Sequence, residues 1–286
     1  MKEREARAVL FSAVEGGHPL WAQEIYSQGA LKTIDRLQSG SYDRIKFATL
    51  IAAINATKAD QVCEAVEKAG AHLLMPGDPM WPSMVEDLVA PPIALIAKGN
   101  LEALSMQSLA IVGTRNPTNY GARIAGDFAA GFVDREWGIV SGGAYGIDSY
   151  AHRGALIAEG VTVAVIASGI DINYPAGNSR LFAEICESGA IVTEVMPGHP
   201  ALPARFLTRN RLIAALSQAT LVVEAAFRSG SLRTARDAAE LLRPVMAIPG
   251  AINSPTSEGC HRLIGERAAE LVTSVADAVE FVGANR

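Results

Sequence analysis

The sequence predicts an α/β fold in which a doubly wound, mostly parallel sheet follows a small all-helical N-terminal domain. From residue 105 onward, short apolar runs alternate with segments of helical periodicity, as in chains that build a parallel sheet. Before residue 75, glycines separate helical stripes and no such alternation occurs. Apolar residues make up 49% of the 286 residues and charged residues 19%, a composition that suits a large buried core.

The first part of the chain is predicted to be helical over residues 1–74. Residues 5–14, 42–54 and 58–69 carry apolar stripes of helical spacing. A small bundle of the SAM or helix-hairpin-helix kind fits this pattern, and two roles stay open for it: contact with DNA, or packing and dimerisation alone. The second predicted domain, 75–286, opens with a proline-rich connector that ends in one strand.

Six apolar runs in the second domain have the length and composition of buried parallel strands. They cover residues 109–112, 138–140, 161–166, 190–193, 221–223 and 245–248. The helices predicted between and after them cover about 120–135, 147–159, 177–188, 209–218, 230–242 and 275–282. Ligands of such sheets bind beyond the carboxyl ends of the strands, so the loops that follow the strands are the place to look for a site.

Glycine and serine recur in those loops. Glycine lets the backbone approach a ligand closely, and free N–H groups at helix starts attract anions. One such loop is weak support for a ligand site, whereas several on one edge favour an anionic ligand. The predicted backbone contacts are Gly113, Ser141, Gly142, Gly143, Ser229, Gly230 and Ser231.

Arginine is concentrated near two of these loops. Residues 205–243 hold seven arginines against three acidic residues, although the whole chain has a net charge of −5. A guanidinium group binds phosphate through two parallel hydrogen bonds, so these residues suit a polyanion. The polar side chains assigned to the site from these loops are Arg115, Arg209, Asn210, Arg211 and Arg228. The assignment requires the guanidinium groups to gather along one rim, free of acidic partners.

Other ligand classes are not supported by the motifs. The first strand is followed by Gly113-Thr-Arg-Asn-Pro117, which lacks the dinucleotide-binding glycine pattern, and no Gly-Lys-Ser/Thr loop is present. The five histidines lack ligand spacing, so we expect no metal and no cofactor. No nucleophile stands beside an obvious base in the two arginine-bearing blocks, and we predict no catalytic residue. Three widely spaced cysteines and the lack of a long apolar run indicate a cytoplasmic protein without a membrane span.

Several blocks together resemble the DNA-processing protein A family, also called DprA or Smf. The resemblance rests on Ile111-Val-Gly-Thr-Arg115, Ser141-Gly-Gly-Ala-Tyr-Gly-Ile-Asp148, Arg209-Asn-Arg-Leu-Ile213, Ser229-Gly-Ser-Leu232 and Gly259-Cys-His-Arg-Leu-Ile264. It implies an extended Rossmann-like domain that binds single-stranded DNA without catalysis and forms a homodimer. It also implies two partners in natural transformation, the recombinase RecA and single-strand-binding protein.

The resemblance also implies where the DNA binds. The basic pocket of the family carries over onto Arg115, Arg180, Arg209, Arg211 and Arg228. Two departures stand out. Tyr145 occupies a position where family members often have arginine, and its ring would either stack on a base or pack against the protein. Many members continue into a winged-helix domain, which we do not expect after the last predicted helix.

Two other function classes stay open. A phosphoribohydrolase of the lonely-guy type would carry a Pro-Gly-Gly-x-Gly-Thr loop, and the nearest stretch here, 141–146, lacks that form. A nucleotide-sensing or scaffold protein would use the same loops for a small anion.

Overall fold

The N-terminal part of the protein is helical, as predicted. The computed structural model describes residues 1–284. Within them, five helices precede the sheet: α1 (Glu3–Ala13), α2 (Pro19–Gln28), α3 (Ala30–Ser39), α4 (Ala48–Ala56) and α5 (Ala59–Lys68). Buried Leu10, Ile34 and Leu37 belong to an apolar cluster that continues into Ile96 and Ile166 of the neighbouring sheet region. The helices therefore pack against the sheet through a shared core.

The sheet is formed by nine strands within the described residues. They are β1 (His72–Leu74), β2 (Leu95–Gly99), β3 (Ser108–Val112), β4 (Gly138–Ser141), β5 (Thr162–Val165), β6 (Ala190–Thr193), β7 (Ala219–Val222), β8 (Val245–Ala247) and β9 (Glu270–Leu271). The helices that connect and follow them are α6 (Asn119–Val133), α7 (Ile147–Ile157), α8 (Ser179–Ser188), α9 (Pro203–Ala215), α10 (Ser231–Glu240), α11 (Glu258–Gly265) and α12 (Val275–Ala284).

The order of the strands is β1-β2-β6-β5-β4-β3-β7-β8-β9. Strands β3 to β9 run parallel, and β2 is antiparallel to both β1 and β6. From β3 the chain winds outward through β4 and β5 to β6, then crosses to β7 and winds the other way. The winding direction reverses between β3 and β7, which pair at Ala110 and Thr220. This is the predicted doubly wound fold.

Both faces of the sheet are covered. Alternate residues of a strand point to opposite faces, and β3 shows the result: Ala110 and Val112 pack into one apolar cluster, whereas Leu109 and Ile111 pack into another. Strands buried on both faces are uniformly apolar, which is why the runs are readable in the sequence.

Some element bounds differ from the prediction. Helix α9 begins at Pro203 rather than near residue 209, because proline is well suited to the first helical position. The sheet begins at His72, inside the segment predicted to be helical, because a three-residue strand carries too little periodicity to recognise. The domain division at residue 74 stays a prediction. No helix among residues 1–284 is long and apolar enough to cross a membrane.

Candidate functional site

A cleft of about 430 Å³ lies where the winding direction of the sheet reverses. The loops after β3 and β7 form two of its sides, α9 forms a third, and Ala144 and Asp148 contribute from the loop and helix after β4. We call it the switch-point cleft. Eight of the predicted site residues line it: Gly113, Arg115, Arg209, Asn210, Arg228, Ser229, Gly230 and Ser231.

The loop after β3 is packed too closely for any residue but glycine at position 113. A Cβ atom there would lie 2.8 Å from the carbonyl oxygen of Glu224 and 2.6 Å from the Ile147 side chain. The Glu224 carboxylate is buried and accepts hydrogen bonds from the Thr118 N–H at 2.9 Å and the Thr118 hydroxyl at 2.6 Å. Glu224 therefore holds the start of α6 in place.

Arg209 lies at the floor of the switch-point cleft with 7% of its surface exposed. Its Nη1 donates to the Val165 carbonyl oxygen at 2.5 Å, whereas its buried Nε has no hydrogen-bond partner among the described residues. Burial lowers the pKa of Arg209 to about 10, with Asp148 opposing the shift and Arg115 adding to it. The side chain stays cationic at neutral pH and has unused hydrogen-bonding capacity.

Two titratable groups on α7, Asp148 and His152, interact electrostatically with Arg209. Burial raises the pKa of Asp148, while Arg209 and nearby hydrogen-bond donors oppose the rise. The Asp148 carboxylate accepts a hydrogen bond from the Ala144 N–H at 3.4 Å, and His152 Nδ1 lies 2.7 Å from the Thr162 hydroxyl. Burial, followed by the charge of Arg209, lowers the pKa of His152 to about 3, so this histidine is neutral.

An arginine and two aromatic rings form a continuous surface at the cleft mouth. The Arg115 guanidinium lies 5.1 Å from the centre of the Phe206 ring, and the Phe206 and Tyr174 rings are 5.5 Å apart. Arg115 is exposed and makes no ion pair among the described residues. Sequence reasoning did not assign Phe206 or Tyr174 to the site, because it selected groups that can hydrogen-bond to phosphate.

Helix α9 also fixes the loop after β7. Asn210 donates from Nδ2 to the Gly230 carbonyl oxygen at 3.1 Å, and the hydroxyls of Ser229 and Ser231 lie 2.6 Å apart. Arg228, exposed on the same loop, makes no ion pair among the described residues. The loop thus presents the Arg228 guanidinium and two hydroxyls to the switch-point cleft.

Three predicted backbone contacts lie behind the cleft instead of on its surface. The buried Ser141 hydroxyl donates to the Ile111 carbonyl oxygen at 2.6 Å, and the Gly143 carbonyl oxygen accepts from Asn178 at 2.9 Å. Gly142 lies against the Arg209 guanidinium, where a Cβ atom has no room. These residues shape the floor of the cleft, and direct phosphate contact by them stays a prediction.

Two predicted arginines lie outside the switch-point cleft and have acidic partners. The exposed Arg180 pairs with Glu184 at 2.8 Å on α8. Arg211 lies on the far side of α9, where its Nη2 is 2.5 Å from Glu194 and its Nη1 donates to the Ala90 carbonyl oxygen at 2.8 Å. Burial raises the pKa of Glu194, and Arg211 opposes that rise. The requirement for free guanidinium groups on one rim is not met at these two positions.

The far side of α9 faces the N-terminal segment. Arg205 donates from Nε to Glu15 at 3.0 Å, and a Cβ atom on Gly17 would lie 2.8 Å from Arg211 Nε. Helix α9 therefore separates the switch-point cleft from the segment that joins α1 to α2.

Comparison with known proteins identifies the family. Residues 72–283 match the family model described as DNA recombination-mediator protein A. The chain belongs to this family. Among its relatives, a putative DNA processing protein DprA from Mycobacterium tuberculosis is 42% identical over 268 residues, which cover 89% of this chain and 69% of that protein. DprA from Streptococcus pneumoniae is 42% identical over 202 residues, 71% of each chain.

Two solved structures of DNA processing protein A share the fold. The Streptococcus pneumoniae structure superposes with a TM-score of 0.84 at 32% identity and covers 98% of both chains. A Helicobacter pylori structure, described for the unique single-stranded DNA binding mode of that protein, has a TM-score of 0.67 at 28% identity. It covers 74% of this chain and 96% of its own. The extended Rossmann-like fold expected from the resemblance is confirmed.

Proposed function

We propose that this protein binds single-stranded DNA in the switch-point cleft without cleaving it and acts as a recombination mediator in natural transformation. The observation that carries the proposal is the convergence of Arg115, Arg209 and Arg228 on one cleft at the carboxyl edge of the sheet. Two of these guanidinium groups are exposed and unpaired among the described residues, and the third has a buried Nε without a partner. Family membership and the Helicobacter pylori relative support the same ligand.

The aromatic surface at the cleft mouth favours a single strand over a duplex. Unpaired bases expose flat faces that stack on aromatic side chains, each contact contributing about 1–3 kcal/mol. The Phe206 ring, with Arg115 on one side and Tyr174 beside it, has the composition of such a platform. Bases inside a duplex are already stacked and cannot reach it.

Fluorescence anisotropy with labelled oligothymidylate and a duplex of equal length tests the proposal. We expect tighter binding to the single strand. Arg115→Ala and Arg228→Ala should each weaken it by about 1.5–3 kcal/mol, the range for a hydrogen bond to a charged group. Arg135→Ala is the matched control, because Arg135 is exposed and precedes β4, at the opposite end of the sheet. Equal affinity for both nucleic acids, or unchanged binding by both cleft variants, contradicts the proposal.

The partners are a further part of the proposal. We infer that the protein works in the cytoplasm as a homodimer, displaces single-strand-binding protein and loads RecA onto the bound strand. Family membership supports these roles. These roles are tested by incubating RecA with single-stranded DNA that is coated by single-strand-binding protein, with and without this protein. If the protein loads RecA, RecA filaments should form faster when it is present.

A nucleotide-cleaving activity is the competing interpretation. It needs an ionised carboxylate that faces the nucleotide. The Glu224 carboxylate accepts two hydrogen bonds from Thr118, and the buried Asp148 carboxylate accepts one from the Ala144 N–H, so neither carboxylate is free to face a nucleotide. We expect no free adenine after incubation with AMP, and base release that disappears in Asp148→Asn would favour the enzyme instead.

A further inference from the structure

We propose that the single strand continues out of the switch-point cleft, across Tyr145, into a second phosphate-binding region bounded by Arg153 and Arg180. This inference rests on the proposed single-stranded DNA binding and extends its site. The second region is a hollow of about 450 Å³ on the surface formed by α7 and α8, and we call it the side hollow.

The side hollow is cationic. Arg153 and Arg180 line it together with one acidic residue, Glu184, which pairs with Arg180. Arg153 is exposed and makes no ion pair among residues 1–284. An exposed pair four residues apart on a helix is weak, so a phosphate group can replace Glu184 as the partner of Arg180 at little cost.

A single loop joins the two regions. Ala144 lines the switch-point cleft, and the next residue, Tyr145, reaches toward the side hollow. The Tyr145 hydroxyl accepts a hydrogen bond at 3.2 Å from the N–H of Gly177, which itself lines the side hollow. A DNA single strand that leaves the cleft over this loop therefore contacts Tyr145 before it reaches Arg153 and Arg180.

Tyr145 has the exposure that a stacking residue needs. Half of its surface is accessible, while the hydrogen bond to Gly177 holds the hydroxyl end in place. A ring fixed at one end and open to solvent loses little conformational entropy when a base stacks on it. Unpaired arginines alone are common on protein surfaces. The combination with a hollow and an exposed aromatic bridge to the switch-point cleft distinguishes Arg153.

A length series of oligothymidylates separates the two regions. We expect Arg153→Ala to bind the shortest strands, which fill only the switch-point cleft, as tightly as the unmodified protein. For longer strands its affinity should fall about two- to fivefold, the range for one exposed ionic contact. The slope of log affinity against log salt should become shallower by about 0.7 for these strands, and Arg153→Lys should restore it.

Controls distinguish failure of this inference from failure of the proposed function. Arg115→Ala should weaken binding at every length, and Arg135→Ala at none. Tyr145→Phe, which keeps the ring but removes its hydrogen bond to Gly177, should retain most of the affinity for long strands, whereas Tyr145→Ala should bind them more weakly. If Arg153→Ala matches the unmodified protein at every length while Arg115→Ala is impaired, the side hollow is not part of the site. If the unmodified protein binds no strand of any length, both proposals fail together.

Discussion

At the scale of single residues, the five arginines assigned from sequence divide by the element on which they lie: two on loops that border the switch-point cleft, one on α8, and two on opposite faces of α9. Arg209 and Arg211 are only two positions apart, and a helix turns by about 200° over that distance. One guanidinium therefore reaches the switch-point cleft, and the other reaches Glu194 on the far side. Because the prediction started this helix near residue 209, it placed both side chains at the helix start and assigned both to the site.

Arg211 is predicted to stabilise the folded protein. The side chains of Arg211 and Glu194 are only 11% and 7% exposed, so Arg211→Ala leaves a carboxylate buried without its partner. Loss of one member of such a pair costs about 3–5 kcal/mol. Urea unfolding should show this loss, and the double change Arg211→Met with Glu194→Gln should recover most of it. A stable Arg211→Ala protein that no longer binds DNA would instead place Arg211 in the binding site.

The lowered pKa of His152 predicts that the protein loses stability in acid. Its pKa is lowered from the ordinary 6.5 to about 3, so between these values the unfolded chain binds a proton that the folded chain does not. Stability therefore falls as pH drops through this window, by about 2 kcal/mol between pH 7 and pH 5 from this residue. Asp148, whose pKa is raised, contributes with the opposite sign.

Urea unfolding at the two pH values, compared with His152→Asn, isolates the histidine because Asp148 is present in both proteins. We expect the variant to be less stable at pH 7 but to lose about 2 kcal/mol less on acidification. The same pH dependence in both proteins would show that His152 is not the group responsible.

At the scale of elements, the packing of α6 against α7 predicts opposite effects on stability when two glycines, one in each helix, are replaced by alanine. A Cβ atom on Gly154 of α7 would lie 2.7 Å from the backbone of Gly126 in α6. A Cβ atom on Gly126 would have nothing within 4 Å. Gly154→Ala should therefore lower stability by about 1–3 kcal/mol through overpacking.

Gly126→Ala should raise stability by about 0.5–1 kcal/mol, because alanine is the better helix former. Thermal unfolding of the two variants measures both effects. If both variants were destabilised by a similar amount, the interface between α6 and α7 would have no room for a methyl group at either glycine.

The sheet was predictable at this scale, and the bounds of several elements were not. Strands such as β3 and β7 are buried on both faces and therefore appear as continuous apolar runs. Strands β1 and β9, with three and two residues, have no readable period. The aromatic contact between Phe206 and Tyr174 depends on how α9 packs beside the loop before α8, which spacing along the chain does not encode.

At the scale of the whole molecule, charge is segregated. The chain has a net charge of −5, yet three arginines converge on the switch-point cleft. If the cleft binds single-stranded DNA as proposed, a local positive field holds the DNA against overall repulsion, and its affinity should depend on salt. Three phosphate contacts give a slope of about −2 for log affinity against log salt on single strands short enough to fill only the cleft.

Anisotropy titrations of such short strands between low and moderate salt measure this slope. Arg115→Ala and Arg228→Ala should each reduce its magnitude by about 0.7. A slope near zero would mean that binding is not driven by phosphate neutralisation.

Helix α9 has different neighbours on its two sides. Phe206, Arg209 and Asn210 face the switch-point cleft, while Arg205 and Arg211 hold Glu15 and Glu194 behind it. A partner that bound the segment between α1 and α2 and tilted α9 would also shift the contacts that we propose for DNA on its other side. Such a partner and a ligand of the switch-point cleft would be thermodynamically linked, and each would alter the other's affinity by the same factor.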